Sequence, residues 1–143
     1  MTKFRKLKRV KCNPDDILKL NLRDKDKVLN IEAMKILLNN GVAYSYFDGN
    51  RLIGCAGIAK ITDNICEVWA VIDKDVKRYT REIYYYASAL LEVARKSFVR
   101  IQATIRTDYS LECHFMERLG YKREGILRKY MADGDYYMYA KIR

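Results

Sequence analysis

Leu111-Glu-Cys-His-Phe-Met-Glu-Arg-Leu-Gly-Tyr-Lys-Arg-Glu-Gly125 decides the fold. Asp108 stands ahead of it as a candidate N-cap, Leu111, Phe115 and Leu119 recur at helical spacing, and Gly120 supplies a stop. Tyr121 to Tyr130 and Tyr136 to Ile142 then form two strands around Asp133-Gly134, a hairpin composition. Upstream, Val99, Ile101, Ala103 and Ile105 alternate with Arg100, Gln102, Thr104 and Arg106, the period-two signature of a half-buried strand. Before that strand comes a helix from about Thr80 to Lys96, with Ile83, Ala87, Leu90, Leu91 and Ala94 on its core stripe.

Glu67-Val-Trp-Ala-Val-Ile-Asp73 belongs to a nearly all-apolar run, Ile65 to Ile72, suited to a central strand buried on both faces, and Glu67 is the odd residue in it. Val42 to Phe47 and Arg51 to Ile61 flank Asp48-Gly49-Asn50 as a hairpin. A helical segment from about Asp24 to Leu38 carries Val28, Ile31, Lys35 and Leu38 on one stripe, with Gly41 as its stop. Asn13-Pro14-Asp15-Asp16 places a cap, a proline and two acids ahead of Ile17, which starts a helix, and Phe4 to Val10 reads as a basic first strand. The predicted order is β-αα-β-β-β-α-β-α-β-β in one domain spanning residues 1–143, with no linker composition anywhere.

Half of the residues are hydrophobic, enough for one sizeable core at this length. No run approaches the roughly 20 apolar residues of a membrane helix, and the first residues are too charged for a secretory signal, so the expectation is a soluble cytoplasmic protein. Cys12, Cys55, Cys66 and Cys113 have no CxxC spacing and read as reduced core thiols. His114 is the only histidine, which argues against a histidine-based metal site. The formal charge of +10 is concentrated partly in Lys3, Arg5, Lys6, Lys8, Arg9 and Lys11. This run either solvates a strand edge or attracts an acidic protein partner or nucleic acid; the absence of an RNA-binding aromatic motif disfavours nucleic acid.

The order of elements from about Val10 onward, together with Phe115-Met-Glu-Arg-Leu-Gly-Tyr-Lys-Arg-Glu-Gly125, resembles the GNAT acetyltransferases. Within that superfamily it is similar to the ribosomal-protein N-terminal acetyltransferases. Leu22-Arg23…Asp26, Asp48-Gly49…Ile53-Gly54 and the Trp69 strand also resemble small GNAT-like proteins of tailed phages, some of them acetyltransferases and some internal virion proteins. The implied fold is an α/β (α+β) GNAT domain, a central mixed sheet of six to seven strands flanked by about four helices. The implied activity is acetyl transfer from acetyl-CoA to a primary amine of a protein N-terminus, a lysine or a small molecule. The alternative is a catalytically silent phage scaffold whose partners are virion or host components, in the host cytoplasm or the virion.

The resemblance further implies that two parallel strands splay apart and that the backbone of Ala70, Val71 and Ile72 bonds acetyl-CoA. The pyrophosphate turn maps to Arg78-Tyr79-Thr80-Arg81-Glu82-Ile83, where Arg78 matches but Arg81 and Ile83 replace the family's glycines. The position of a cofactor-holding Asn is Tyr109, and that of the tyrosine acid is Met116, which has no proton to give. Tyr121 becomes the candidate acid, with Tyr130 or water as substitutes. Glu67 is the candidate general base, acting through water on the amine, or else a structural carboxylate paired with a cation. Trp69 is core or substrate wall. Tyr84, Tyr85 and Tyr86 point to different sides of their helix, so not all can be core, and His114 reads as a surface residue.

Overall fold

The computed structural model describes residues 3–22, 35–36, 38–75, 77–131 and 134–143. Its strands are β1 (Lys8–Lys11), β2 (Gly41–Asp48), β3 (Arg51–Lys60), β4 (Ile65–Ile72), β5 (Arg100–Arg106), β6 (Lys122–Met131) and β7 (Gly134–Ile142). Its helices are α1 (Pro14–Leu18), α2 (Thr80–Ser97) and α3 (Ser110–Arg118), with a short 3₁₀ turn, Lys77–Tyr79, leading into α2. The predicted helix from Asp24 lies largely outside the described residues, although Lys35, Ile36, Leu38 and Asn39 at its end are helical. The remaining order matches the one read from the sequence.

The strands form one seven-stranded sheet in the order β1-β2-β3-β4-β5-β7-β6. Only β4 and β5 run parallel, joined by the α2 crossover that a parallel pair requires. Alternation along β4 sends Cys66 to one face and Trp69 and Val71 to the other. The first face is closed by α2 and α3 over Cys66, Leu90, Ile101, Met116, Tyr121 and Tyr139. On the second, α1 seats Ile17 against Leu20, Leu52, Cys55, Val71 and the edge of Trp69. Each of these large side chains contributes about 1.5–3 kcal/mol by leaving water, which fixes the sheet between its two layers.

Local chemistry explains the starts and stops. Asn13 and Asp16 form a reciprocal capping box at α1, and Gly120 ends α3 at φ +88°, a conformation that favours a residue without Cβ. All four cysteines are free and buried. The tyrosine triplet divides as its helical spacing requires. Tyr84 meets Phe115 edge to face at 5.1 Å, Tyr86 packs into the core beside Tyr46, and Tyr85 stays exposed against Phe4. His114 is exposed on α3.

Two sequence expectations are corrected. The first strand begins at Lys8 rather than Phe4, because the preceding backbone is held by side chains of α2. Leu7 N donates to Tyr86 Oη at 3.0 Å and Arg5 N to Glu82 Oε2 at 3.4 Å, so these amides have no sheet partner to seek. Asp108 does not cap α3; its carboxylate pairs with Arg106 Nε at 3.0 Å, and Tyr109 occupies the cap position with no side-chain cap bond.

Candidate active site

The β4–β5 ladder has three rungs, Ile65↔Arg100, Cys66↔Ile101 and Glu67↔Gln102, and then stops. Beyond it β4 stays paired with β3 through Ile72, and β5 with β7 through Arg106. The two parallel strands therefore open into a V in the middle of the sheet. Val68 to Ile72 and Ala103 to Arg106 each have one backbone edge without a ladder partner. A backbone edge inside a protein is costly unless water, a side chain or a ligand satisfies it. Ala70 is exposed here although its strand is central, whereas Val71 is buried against the α1 layer and Ile72 is half-buried.

The mouth of the V is flanked by the start of α2. Among the described residues no side chain caps this helix, and its first turn forms the positive end of an 18-residue dipole. Lys77, Arg78, Thr80 and Arg81 are exposed around that end, and Thr80 Oγ1 donates to Lys77 O at 2.7 Å. The acid of the first turn, Glu82, is turned inward at 2% exposure and receives Arg5 N. Tyr79 is also turned inward. Its hydroxyl donates to Asp48 Oδ2 at 2.6 Å, and the guanidinium groups of Arg5, Arg51 and Arg78 surround its ring. Of the turn residues named from the sequence, Thr80 and Arg81 are exposed, Arg78 is exposed with its guanidinium folded over the Tyr79 ring, and Tyr79 and Glu82 are buried and anchor the turn. The uncapped amides, the surrounding cations and the inward Glu82 together fit an anionic phosphate group.

Glu67 stands at the vertex of the V, the last residue of β4 paired with β5. Its Oε1 receives Gln102 Nε2 at 3.3 Å, and Gln102 Oε1 in turn receives Arg100 Nε at 2.9 Å. Arg100 spends its remaining donors on Glu124, at 3.0 and 2.7 Å. Among the described residues Glu67 is held by a neutral amide and not by a cation, so its carboxylate is oriented without a salt bridge neutralising it. Gln102 was not singled out in the sequence. The only signal for it was the alternation of β5, which places it on the polar face opposite Ile101.

Trp69 follows Glu67 on the same face. Its ring lies over Gly57, and its Nε1 is buried with no hydrogen-bond partner among the described residues. It is half-buried against the cluster that contains Val71, two residues from Glu67. Tyr109 sits half-buried at the start of α3 beneath the Arg106 guanidinium, at the end of β5 where the V is open.

Tyr121 is brought elsewhere. It is buried with Cys66, Ile101 and Met116, at the closed end of the β4–β5 pair, and burial pushes its phenol up. The structure does not join it to Glu67 at the open part of the V. Met116, four per cent exposed in the same core, likewise offers no acid. Among the described residues no group of histidine, cysteine or acidic side chains is placed to hold a metal ion, and no helix is long and apolar enough to cross a membrane.

No protein-family model matches the sequence, and no curated protein matches it. The likeness lies in solved structures. An acetyltransferase from Bacillus subtilis in complex with CoA superposes with a TM-score of 0.75 at 15% identity, covering 96% of this chain and 99% of that one. The IAA acetyltransferase from Bacillus cereus superposes with a TM-score of 0.75 at 10% identity, covering 96% of this chain and 100% of that one. A GNAT-family acetyltransferase from Streptococcus pneumoniae gives 0.66 at 24% identity, covering 96% and 99%. At these identities the likeness is one of fold, and the fold of this chain is that of the GNAT acetyltransferases.

Proposed function

We propose that the protein is an N-acetyltransferase that moves the acetyl group of acetyl-CoA to a primary amine. The observation that carries this reading is the loss of the β4–β5 ladder after Glu67↔Gln102, which leaves backbone donors and acceptors in the sheet centre beside an uncapped helix start. A protein keeping the fold only as a scaffold has no need to leave that ladder open.

In this reading the free edge of Ala70, Val71 and Ile72 bonds the pantetheine arm, and the α2 amides with Arg78 and Arg81 hold the pyrophosphate. Main-chain binding explains why the site tolerates a divergent sequence. Acetyl-CoA, when bound, supplies a thioester whose C–S bond breaks as the C–N bond to the amine forms, the sulfur leaving as thiolate. Glu67 takes the proton of the attacking amine through a water, a transfer that contributes typically 10²–10⁴-fold. Gln102 keeps that carboxylate pointed into the V without quenching its charge. Solvent returns a proton to the thiolate, since the position of the family's tyrosine is the buried Met116. The basic segment from Lys3 to Lys11, largely exposed, favours acceptors borne on acidic molecules.

Calorimetric titration with acetyl-CoA tests this, followed by thiol release with spermidine and a lysine peptide as amine probes. Binding is expected, and its absence at high micromolar acetyl-CoA would sink the transferase. Glu67→Gln is expected to retain binding and lose turnover at least a hundredfold; full turnover in that variant removes Glu67 from the role of base.

A further inference from the structure

Strand β2 and helix α2 are packed together at one end and part at the other. Toward the start of α2 the space between them is filled by two rings, Tyr46 and Tyr86, whose centroids stand 5.5 Å apart. Val42, four residues back along β2, keeps the face of Tyr46, and Val93, two turns further along α2, keeps the stripe of Tyr86. Where valines stand in place of tyrosines a cavity of about 340 Å³ is left, a size typical of small-ligand sites. Its floor is Ile58 and Ala94, both buried, with Phe98 beside them. Val42 is 49% exposed and Val93 53%, so two branched apolar side chains face water across its opening.

Among the described residues that line this cavity the only charged one is Lys60, at the end of β3. Its backbone is fixed by Lys60 N donating to Asn40 O at 2.7 Å. Its amine meets Asp63 at 2.7 Å, but the two side chains are 54% and 91% exposed, and such a pair contributes little. The amine can therefore exchange Asp63 for another carboxylate at small cost. Glu92, next to Val93, is engaged by Arg95 at 2.6 and 3.1 Å. Arg143 Nη1 donates to Arg95 O and Lys96 O, at 3.3 and 3.1 Å, and offsets the negative end of the α2 dipole. The opening thus joins an aliphatic floor to an exposed amine and the Ser97 hydroxyl, and its field favours an anion. Val93 lies about 18 Å along the helix from Arg81, so the cavity is separate from the acetyl-CoA cleft.

We propose that this cavity binds a medium-chain alkyl carboxylate, the chain lying over Ile58 and Ala94 between the two valines and the head group meeting Lys60 and Ser97. The site does not depend on the transferase reading. Hexanoate, octanoate and decanoate are titrated into ¹⁵N-labelled protein and followed by amide shifts. Saturating shifts are expected at Val42, Lys60, Val93 and Ser97, with affinity rising about two- to fourfold per methylene. Lys60→Gln should weaken octanoate about threefold and leave neutral octanol unchanged. Val93→Phe, which fills the opening, should weaken octanoate about tenfold with acetyl-CoA affinity unchanged; Val42→Phe makes the same test from the strand should that variant fail to fold. Shifts that do not saturate, equal affinity for the three chain lengths, or octanoate binding unaltered by filling the cavity would overturn the proposal. Competition between octanoate and acetyl-CoA would overturn it too, by placing the chain in the cleft. A concentration-dependent dimer that covers the same amides without carboxylate would assign the opening to a second copy instead.

Discussion

Asp16 ties α1 to the sheet, and removing its carboxylate should loosen the layer that backs Trp69 and Val71. The carboxylate receives Ser45 Oγ at 2.8 Å and Asn13 N at 3.2 Å, with Asp16 itself 7% exposed and Ser45 fully buried. Lys19 Nζ lies 3.3 Å away, but its side chain is 66% exposed and that pair contributes little. In Asp16→Ala the Ser45 hydroxyl loses its acceptor, at about 1–3 kcal/mol for a buried orphan, and the capping box loses about 1 kcal/mol. Ser45 can turn instead to Cys55 Sγ at 3.4 Å, which places the total near the lower half, about 2–3 kcal/mol. Asp16→Asn keeps an acceptor oxygen and should cost under about 1 kcal/mol. The double variant Asp16→Ala, Ser45→Ala should cost less than the sum of its singles, because no hydroxyl is left orphaned.

Urea unfolding read through Trp69, the single tryptophan, measures all four proteins, and the midpoint of Asp16→Ala should fall by roughly 1 M. An Asp16→Ala loss below about 0.5 kcal/mol, or strict additivity in the double variant, would show that the Ser45 contact carries no stability. The acid limb has a defined sign. Burial raises the Asp16 carboxyl, but Ser45, the Asn13 amide and Lys19 outweigh it and leave the group below its ordinary value. Its contribution is therefore complete above the unfolded value and disappears as pH falls through the lower folded value. Asp16→Asn should flatten the loss of stability below about pH 4.

At the phosphate end, Arg78→Ala and Arg81→Ala should each weaken acetyl-CoA about three- to fivefold at low ionic strength, an effect that shrinks with added salt; unchanged affinity would move the turn elsewhere. A Cβ at Gly57 would stand 2.8 Å from the Trp69 ring and 2.7 Å from Val42 O, so Gly57→Ala should cost about 1–3 kcal/mol and shift Trp69 emission. Tyr121→Phe should leave turnover within about twofold, since the hydroxyl lies at the closed end of the strand pair; a larger loss in a folded variant would restore it as an acid.

The fold was legible because its signals are periodic. The alternation of Val99 to Arg106, the apolar run with Glu67 and the stop at Gly120 each follow from side chains meeting water or core. The open V was not legible from periodicity. Val68 to Ile72 and Ala103 to Arg106 keep strand patterns whether or not their edges are paired, and only the family resemblance raised the prospect of a splay. Likewise, the cation-rich turn Arg78-Tyr79-Thr80-Arg81-Glu82 shows from sequence where charge clusters, but not that Tyr79 and Glu82 turn inward to Asp48 and Arg5. Those partners lie 31 and 77 residues away, beyond any local pattern. The register shift in β6 between Leu127 and Met131 contains one left-handed lysine, Lys129 at φ +48°, a conformation that glycine or asparagine adopts more readily.

Amide hydrogen exchange across β4 examines the acetyl-CoA cleft without requiring an acceptor. The gap-facing amides of Val68 to Ile72 should exchange faster than those of the fully paired β3, and acetyl-CoA should slow them together with the first-turn amides of α2. Protection that is already complete in β4 without acetyl-CoA, or that does not change when it is added, would contradict a cofactor site between these strands.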